Sequence, residues 1–491
     1  MNILLVSPRT PDTFWSFKHV LPFISKRAAH PPLGLLTVAG MLPREWECRL
    51  VDLTARKLRD EDIEWADHVL LSAMLVQRES VLEIARRCRD AGKPVIAGGP
   101  LFMVESLEEF PDIDTFVIGE AEELIDGLVA DMQAGAVRGL YQAERYADIT
   151  RTPIPRWDLI RLGDYVSMSV QFARGCPFNC EFCDIVALNG RVPRLKTPQQ
   201  LLAELDFVRL RGWRGSTFLV DDNFIGNRKK VKDLLHTIIR WQRDTGWTMT
   251  FLTQASVNMA DDPELLRLMV EAGFTKVFLG IETPDAESLQ ECQKTVNIRC
   301  DLVEAVRTIQ RAGLQVMGGF IIGFDSDKPD IFERQFEFIQ KAGVVTAMVE
   351  LLQGLPRSRL YKRLAREGRL LDDNLVGSAR ARLNFEPRLD RAFLFRKYRK
   401  LVRDLYEPHN YYRRIRTFLE QHHPGGPRSG MGWRELGAFL RSLWMLGVTH
   451  RGRRAYWRFM FSTLRRYPAQ FGLAATLAVY GYHFREVAKG L

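Results

Sequence analysis

Short apolar runs recur through the first 145 residues, at Ile3–Ser7, Arg49–Asp52, Val69–Ala73, Val95–Ala97 and Phe116–Ile118. Stretches of helical spacing separate them, such as Ser80–Ala91 and Glu122–Gln133. Unbroken apolar runs of this length belong to strands buried on both faces, so residues 1–145 predict a doubly wound α/β domain with a parallel sheet. Gly98-Gly99-Pro100 and Gly119-Glu120 follow predicted strand ends, the edge at which such sheets bind ligands. Residues 146–165, with Thr152-Pro153-Ile154-Pro155, read as a linker, because that run suits neither helix nor central strand. The alternation resumes over residues 166–385. Strands are predicted at Ser167–Gln171, Ser216–Val220, Thr248–Thr253, Lys276–Gly280, Val316–Ile322 and Ala347–Leu352. Helices are predicted between them, among them Pro198–Arg211, Arg228–Asp244, Pro263–Ala272 and Cys300–Ala312. Strand–helix units in such a row predict a partial (β/α)6 barrel with its chemistry at the carboxyl ends of the strands. Residues 386–491 predict a mostly helical domain, with apolar residues at helical spacing and arginine on the other face, as in Trp433–Leu446 and Tyr456–Tyr467.

Charge sharpens the last boundary. The net charge of +10 is concentrated in the tail: from Arg391 onward there are 20 Lys/Arg against 5 Asp/Glu, so the rest of the chain is slightly acidic. A length of 491 residues requires more than one core. The apolar start Ile3–Val6 is too short for a signal peptide, and no apolar run reaches the ~20 residues of a membrane span. Seven scattered cysteines argue against a disulfide framework and for a reducing, cytoplasmic setting.

Three of the seven stand together in Arg174-Gly175-Cys176-Pro177-Phe178-Asn179-Cys180-Glu181-Phe182-Cys183, directly after a predicted strand. The spacing C-x3-C-x2-C puts three thiolates on one tight loop, each able to hold one iron of a cubane cluster. An iron left without a protein ligand is open to a small molecule. A zinc site or three structural cysteines are the other readings; zinc sites want a fourth ligand, and no second Cys or His pair lies near in sequence. Cys48, Cys88, Cys292 and Cys300 read as small buried residues.

The run C-x3-C-x-aromatic-C at the end of a first barrel strand resembles the radical S-adenosylmethionine (SAM) superfamily. The resemblance implies a 4Fe–4S cluster on Cys176, Cys180 and Cys183, with SAM chelating the open iron and Phe182 beside it. Val220-Asp221-Asp222-Asn223-Phe224 stands where that family meets the SAM amino group. Gly280-Ile281-Glu282-Thr283 and Gly319–Phe324, with Ile322 and Gly323, resemble its later strand elements, the second bordering the adenine. Gln254 lies where the SAM ribose or carboxylate is met.

A Rossmann-like domain ahead of such a core resembles the cobalamin-binding subfamily. His30–Leu36, with Leu33 and Gly34, resembles its first helix entry. Gly98, Gly99, Gly119 and Glu120 resemble the loops around the corrin. The Met74–Arg78 loop, with Ser72 before it and Val76 and Gln77 within it, is expected beneath the cobalt. The D-x-H-x-x-G motif of other cobalamin proteins is absent. Val192–Pro198, Val220–Asn227, Leu351–Pro356 and Trp65-Ala66-Asp67 resemble the hopanoid C-2 methylase group.

That resemblance implies a cobalamin-dependent C-methyltransferase. It would act on an unactivated carbon of a lipid-like or polycyclic substrate, fed electrons by an external donor such as a ferredoxin or flavodoxin. Oxidative cyclisation or rearrangement with the same cofactors is a second reading, and a non-catalytic cluster or cobalamin carrier a third. The basic, aromatic tail reads either as a helical lid on the barrel or as a peripheral contact with an anionic membrane, and the two are compatible. It is too apolar and helical to read as a nucleic-acid module.

Overall fold

The computed structural model describes residues 1–371, 383–425 and 433–491, so the segments 372–382 and 426–432 of the predicted core and tail lie outside it. The first sheet is parallel throughout, in the order β2-β1-β3-β4-β5-β6. Its strands are β1 (Asn2–Ser7), β2 (Glu47–Asp52), β3 (His68–Ser72), β4 (Val95–Gly98), β5 (Thr115–Ile118) and β6 (Leu140–Gln142). Helices cover both faces, so Ile3, Leu4, Leu5 and Val6 in β1 are all fully buried. The strand order reverses between β1 and β3, which opens a crevice at their carboxyl ends. β6, short and half polar, carries too little pattern to be read from sequence.

The second sheet is also parallel and runs in sequential order, β7 (Met168–Val170), β10 (Gly215–Leu219), β11 (Met249–Ala255), β12 (Phe274–Glu282), β13 (Gln315–Ile322) and β14 (Thr346–Leu351). These are the six predicted strands, and they form an open barrel. A two-stranded ribbon, β8 (Ala173–Arg174) against β9 (Arg194–Leu195), ties the ends of the cysteine loop. Helix starts follow local chemistry. Thr197 and Gln200 make a capping box before Pro198, and Asp262 caps the helix Pro263–Glu271.

The tail is helical, as expected, with helices Arg391–Tyr406, Pro408–Gln421, Trp433–Trp444, Arg453–Arg466 and Phe471–Lys489. Part of it closes the barrel's open edge. The edge carbonyls of β14 and its approach accept from buried side chains: Val345 from Arg414 (3.2 Å), Ala347 from Tyr406 and Val349 from Tyr398 (3.0 Å). An uncovered edge strand would expose these groups to pairing with another chain. Among the described residues no helix is long and apolar enough to cross a membrane.

Two connections, unremarkable in sequence, fasten the whole. The segment between β1 and the helix Leu33–Met41 reaches the last helix, where Phe14 and Phe17 pack on Phe484 and His483. The expected linker is itself packed: Trp157 is fully buried, and Tyr165 donates to Asp52 over 3.0 Å. One apolar core therefore runs from the inner face of the first sheet through the barrel into the tail.

A candidate active site between two sheet edges

The cysteine loop is shaped by Gly175, whose φ is +99°. A Cβ there would stand 3.0 Å from the carbonyl oxygens of Asn189, Gly190 and Val192, so only glycine fits. Asp222 pins the turn by accepting from Gly175 N (2.7 Å) and from Asn189 Nδ2 (2.9 Å). Cys180 is buried, and Cys176 and Cys183 are partly so. Burial pushes all three thiols up, Cys183 to about 12. A bound cation would reverse that and favour the thiolates. Phe182 packs edge-on against Phe324 at 6.3 Å.

Cations surround this loop. The ammonium of Lys294 is paired with Glu282 at 2.9 Å. Burial alone would lower the lysine, but Glu282 and the thiols of Cys180 and Cys183 hold it above its ordinary range. Arg363 joins Glu181, inside the cysteine loop, to Glu291 and Asp325, and Arg359 donates to the Asn179 carbonyl. Sequence spacing gives no sign that Lys294, Arg359 and Arg363 meet the loop, from which each is more than a hundred residues away. It also gives no sign that Cys292 comes close: its carbonyl accepts from Glu181 N (2.8 Å), while its thiol points to Leu289 O (3.5 Å).

The barrel wall is set by register. Gly280 lies beside Gly319, which lies beside Met348; Ile321 lies beside Glu350. With Phe278 and Met317 these residues line a largely apolar lumen. Trp15, from the segment after β1, packs tilted against Phe278 with ring centroids 4.7 Å apart. Gln254 lies beside Phe278 in the register, and its side chain makes no hydrogen bond among the described residues. Glu282 sits at a register shift with φ +64°, a left-handed geometry stored at the strand end. Glu350 stands open to the lumen. The surrounding walls push its carboxyl above the ordinary range, and Glu282 adds to the shift.

Several residues expected at the cofactors have other work. Asp221 is fully buried and turned to the backbone, accepting from Phe172 N at 2.8 Å. Burial pushes its carboxyl up to about 7. It therefore braces the strand end and does not face the lumen. Ile322 points outward into the core; its neighbour Ile321 faces inward. Gly323, φ +110°, donates to Asp327.

In the first domain, Ser72, Gly34 and Gly99 converge at the carboxyl edge: a Cβ on Gly99 would lie 2.8 Å from Ser72 Oγ, and one on Gly34 3.8 Å from it. Gly98 is equally tight against Val117 O at 3.0 Å, and Gly119 against Ala143. Glycine at these positions lets the loops of this edge close on one another, forming a glycine-built cradle. Leu33 opens the helix beside it, half buried. The Met74 loop is locked by Gln77, whose amide accepts from Met74 N (2.9 Å) and donates to Pro8 O (2.6 Å). Gln77 is thus a brace, and Met74, 60% exposed, and Val76 form the loop's surface.

Glu120 is spent on the other domain. Arg194 grips both of its oxygens at 2.6 and 2.8 Å, and Arg174 reaches Glu120 and Glu122 at 3.2 and 2.7 Å. Arg174 stands two residues before Cys176. This bridge brings the carboxyl edge of the first sheet to the cysteine loop at the carboxyl edge of the second.

The donor set suits a metal–sulfur cluster, since three soft thiols share one loop. A buried oxygen without a partner, Asn223 Oδ1, lies at the adjoining strand end. Gly34, exposed and with Ser72 Oγ its nearest neighbour at 3.8 Å, leaves backbone at this edge open to a ligand.

Known proteins agree with this architecture. Residues 24–129 match the B12 binding domain, residues 170–365 the radical SAM superfamily, and residues 358–491 a domain of unknown function, DUF4070. The chain is 42% identical over 501 residues to an uncharacterized methyltransferase of Synechocystis sp., covering 100% of this chain and 93% of that one. It is 36% identical over 478 residues to the hopanoid C-2 methylase of Rhodopseudomonas palustris, covering 95% and 90%. Among solved structures, the methyltransferase TsrM of Kitasatospora setae, with cobalamin and a 4Fe–4S cluster bound, superposes with a TM-score of 0.63 at 15% identity over 99% of both chains.

Proposed function

Because this chain belongs to the B12-binding radical SAM enzymes that include hopanoid C-2 methylase, we propose that it methylates an unactivated carbon of a lipid-like or polycyclic substrate. The observation that carries this reading is the facing of the three-cysteine loop and the glycine cradle across the Glu120–Arg174–Arg194 bridge. A methyl donor on one edge and a hydrogen-abstracting centre on the other would then both reach one substrate carbon.

Cys176, Cys180 and Cys183 would hold the 4Fe–4S cluster, with Phe182 shielding it. Gln254 and Glu282, with the backbone of Ile322 and Gly323, would receive SAM. Gly34, Ser72, Gly98, Gly99 and Gly119 would accept cobalamin, with Met74 and Val76 beneath it. When bound, the cluster with SAM supplies a carbon radical able to take hydrogen from an unactivated C–H bond, and methylcobalamin supplies the methyl group. The chain's own part is placement. Lys294 offsets the negative charge of the thiolates, and the Arg363 network fixes the loop that carries them. The largely apolar wall of Phe278, Met317, Met348 and Ile321 suits a hydrophobic substrate. Electrons would come from an external donor such as a ferredoxin or flavodoxin.

The test uses SAM deuterated in its methyl group, a low-potential reductant and extracted bacterial lipids. Deuterated methyl appearing in a lipid product is expected. Formation of 5′-deoxyadenosine with an altered but unlabelled product would replace methylation by cyclisation or rearrangement.

A further inference from the structure

Five large hydrophobic side chains, Leu440, Trp444, Val448, Phe461 and Leu464, are between 48% and 65% exposed, and all lie in one helical hairpin of the tail. Leu440, Trp444 and Val448 are four residues apart along the first arm, which ends in a π turn at Met445–Thr449. The second arm, Arg453–Arg466, places Trp457, Phe461 and Leu464 on one stripe, and Trp457 stacks on Phe461 at 5.6 Å. Trp457 also fastens the arms, donating to Gly447 O over 2.9 Å; a Cβ on Gly447 would come within 3.1 Å of the indole. The opposite side of the second arm, with Tyr456, Phe459 and Met460, is buried in the tail's core. The stripe is therefore surplus to folding.

Its border is cationic. Arg451, Arg453, Arg454, Arg458, Arg465 and Arg466 are all exposed, and none forms an ion pair among the described residues. Behind the hairpin turn, Arg485 is 8% exposed and likewise has no carboxylate partner among them. A contact between copies of this hairpin would leave this density of like charge unanswered, whereas an anionic bilayer offers both an apolar layer for the stripe and phosphates for the arginines.

We propose that this hairpin docks the enzyme on an anionic membrane surface, with Trp444, Phe461 and Leu464 entering the headgroup boundary. The inference deepens the lipid-substrate reading, since it gives the enzyme access to a substrate that stays in the bilayer.

The test is flotation of the full-length holoprotein with phosphatidylglycerol-containing vesicles and with pure phosphatidylcholine vesicles, without substrate. Binding should favour the anionic vesicles and fall with salt. It should weaken at least tenfold in Trp444→Ser/Phe461→Ser and in Arg454→Glu/Arg458→Glu, while both variants keep the wild-type melting transition, iron content and SAM cleavage. No binding by wild type, or equal binding by the variants, overturns the proposal. So does a dimer that the apolar variant converts to monomer without any vesicle binding, which would make the face a contact between copies. Labelled-methyl transfer to detergent-dispersed lipid is scored separately. Its failure alongside normal flotation counts against the methylation reading and leaves the docking surface standing.

Discussion

Gly175 shows how much one residue carries. Alanine there must adopt a left-handed backbone and meet three carbonyl oxygens at 3.0 Å, a strain of about 1–3 kcal/mol placed directly on the loop that ends in Cys176. Gly175→Ala should lose most of its iron while the remaining fold keeps its circular dichroism; normal iron content would show that the loop tolerates a side chain. Cys292 offers the opposite test. It lies beside the loop, but its thiol is turned to Leu289, so Cys292→Ser should retain iron, whereas Ser at Cys176, Cys180 or Cys183 should abolish SAM cleavage. His483 gives a pH signature. Burial lowers it from 6.5 to about 4, opposed by its bond to Phe14 O, with His19 and Asp12 alongside. As pH falls through 6.5 the unfolded chain takes the proton first, so up to about 3 kcal/mol is lost between pH 6.5 and 4. His483→Gln, destabilising at pH 7.5 in urea unfolding, should lose part of that penalty by pH 5.

At the scale of elements, two joints hold the active architecture. On β14, Tyr398, Tyr406 and Arg414 satisfy an edge that the open barrel leaves bare. Tyr406→Phe strands the buried Ala347 carbonyl and should cost about 1–3 kcal/mol in urea unfolding. Between the sheets, Arg194→Ala leaves Glu120 with Arg174 and the Ala147 N–H and should cost about 2 kcal/mol. Because this joint aligns the cradle with the cysteine loop, the same variant should retain less corrinoid on purification than wild type. Unchanged corrinoid content would separate cobalamin retention from domain alignment. The strands and helices themselves were legible in sequence, since parallel strands buried on both faces leave unbroken apolar runs. β6 escaped because it is half exposed, and the joints escaped because Glu120 with Arg194, or Tyr406 with Ala347, are distant in sequence.

For the whole molecule, the arrangement predicts stoichiometric corrinoid and a 4Fe–4S cluster in protein expressed anaerobically with cobalamin, measured by absorbance and metal analysis. A chain with iron but no corrinoid would reduce the first domain to a scaffold. The tail joins two expectations in one body: the helices Arg391–Tyr406 and Pro408–Gln421 cover the barrel, while the hairpin beyond them keeps its apolar stripe outward.

By itself the sequence determined what local order controls: the strand–helix alternation, the three-thiol loop with its glycine, the cradle glycines and the basic tail. Each is written in neighbouring residues, because periodicity, tight turns and ligand spacing act over a few positions. Tertiary structure decided which polar side chains are free. It spent Asp221 on a strand end, Gln77 on a loop and Glu120 on a bridge, and it opened Glu350 and Gln254 to the lumen. A buried polar group must be paired by whatever the fold brings to it, and that partner is set by packing across the chain.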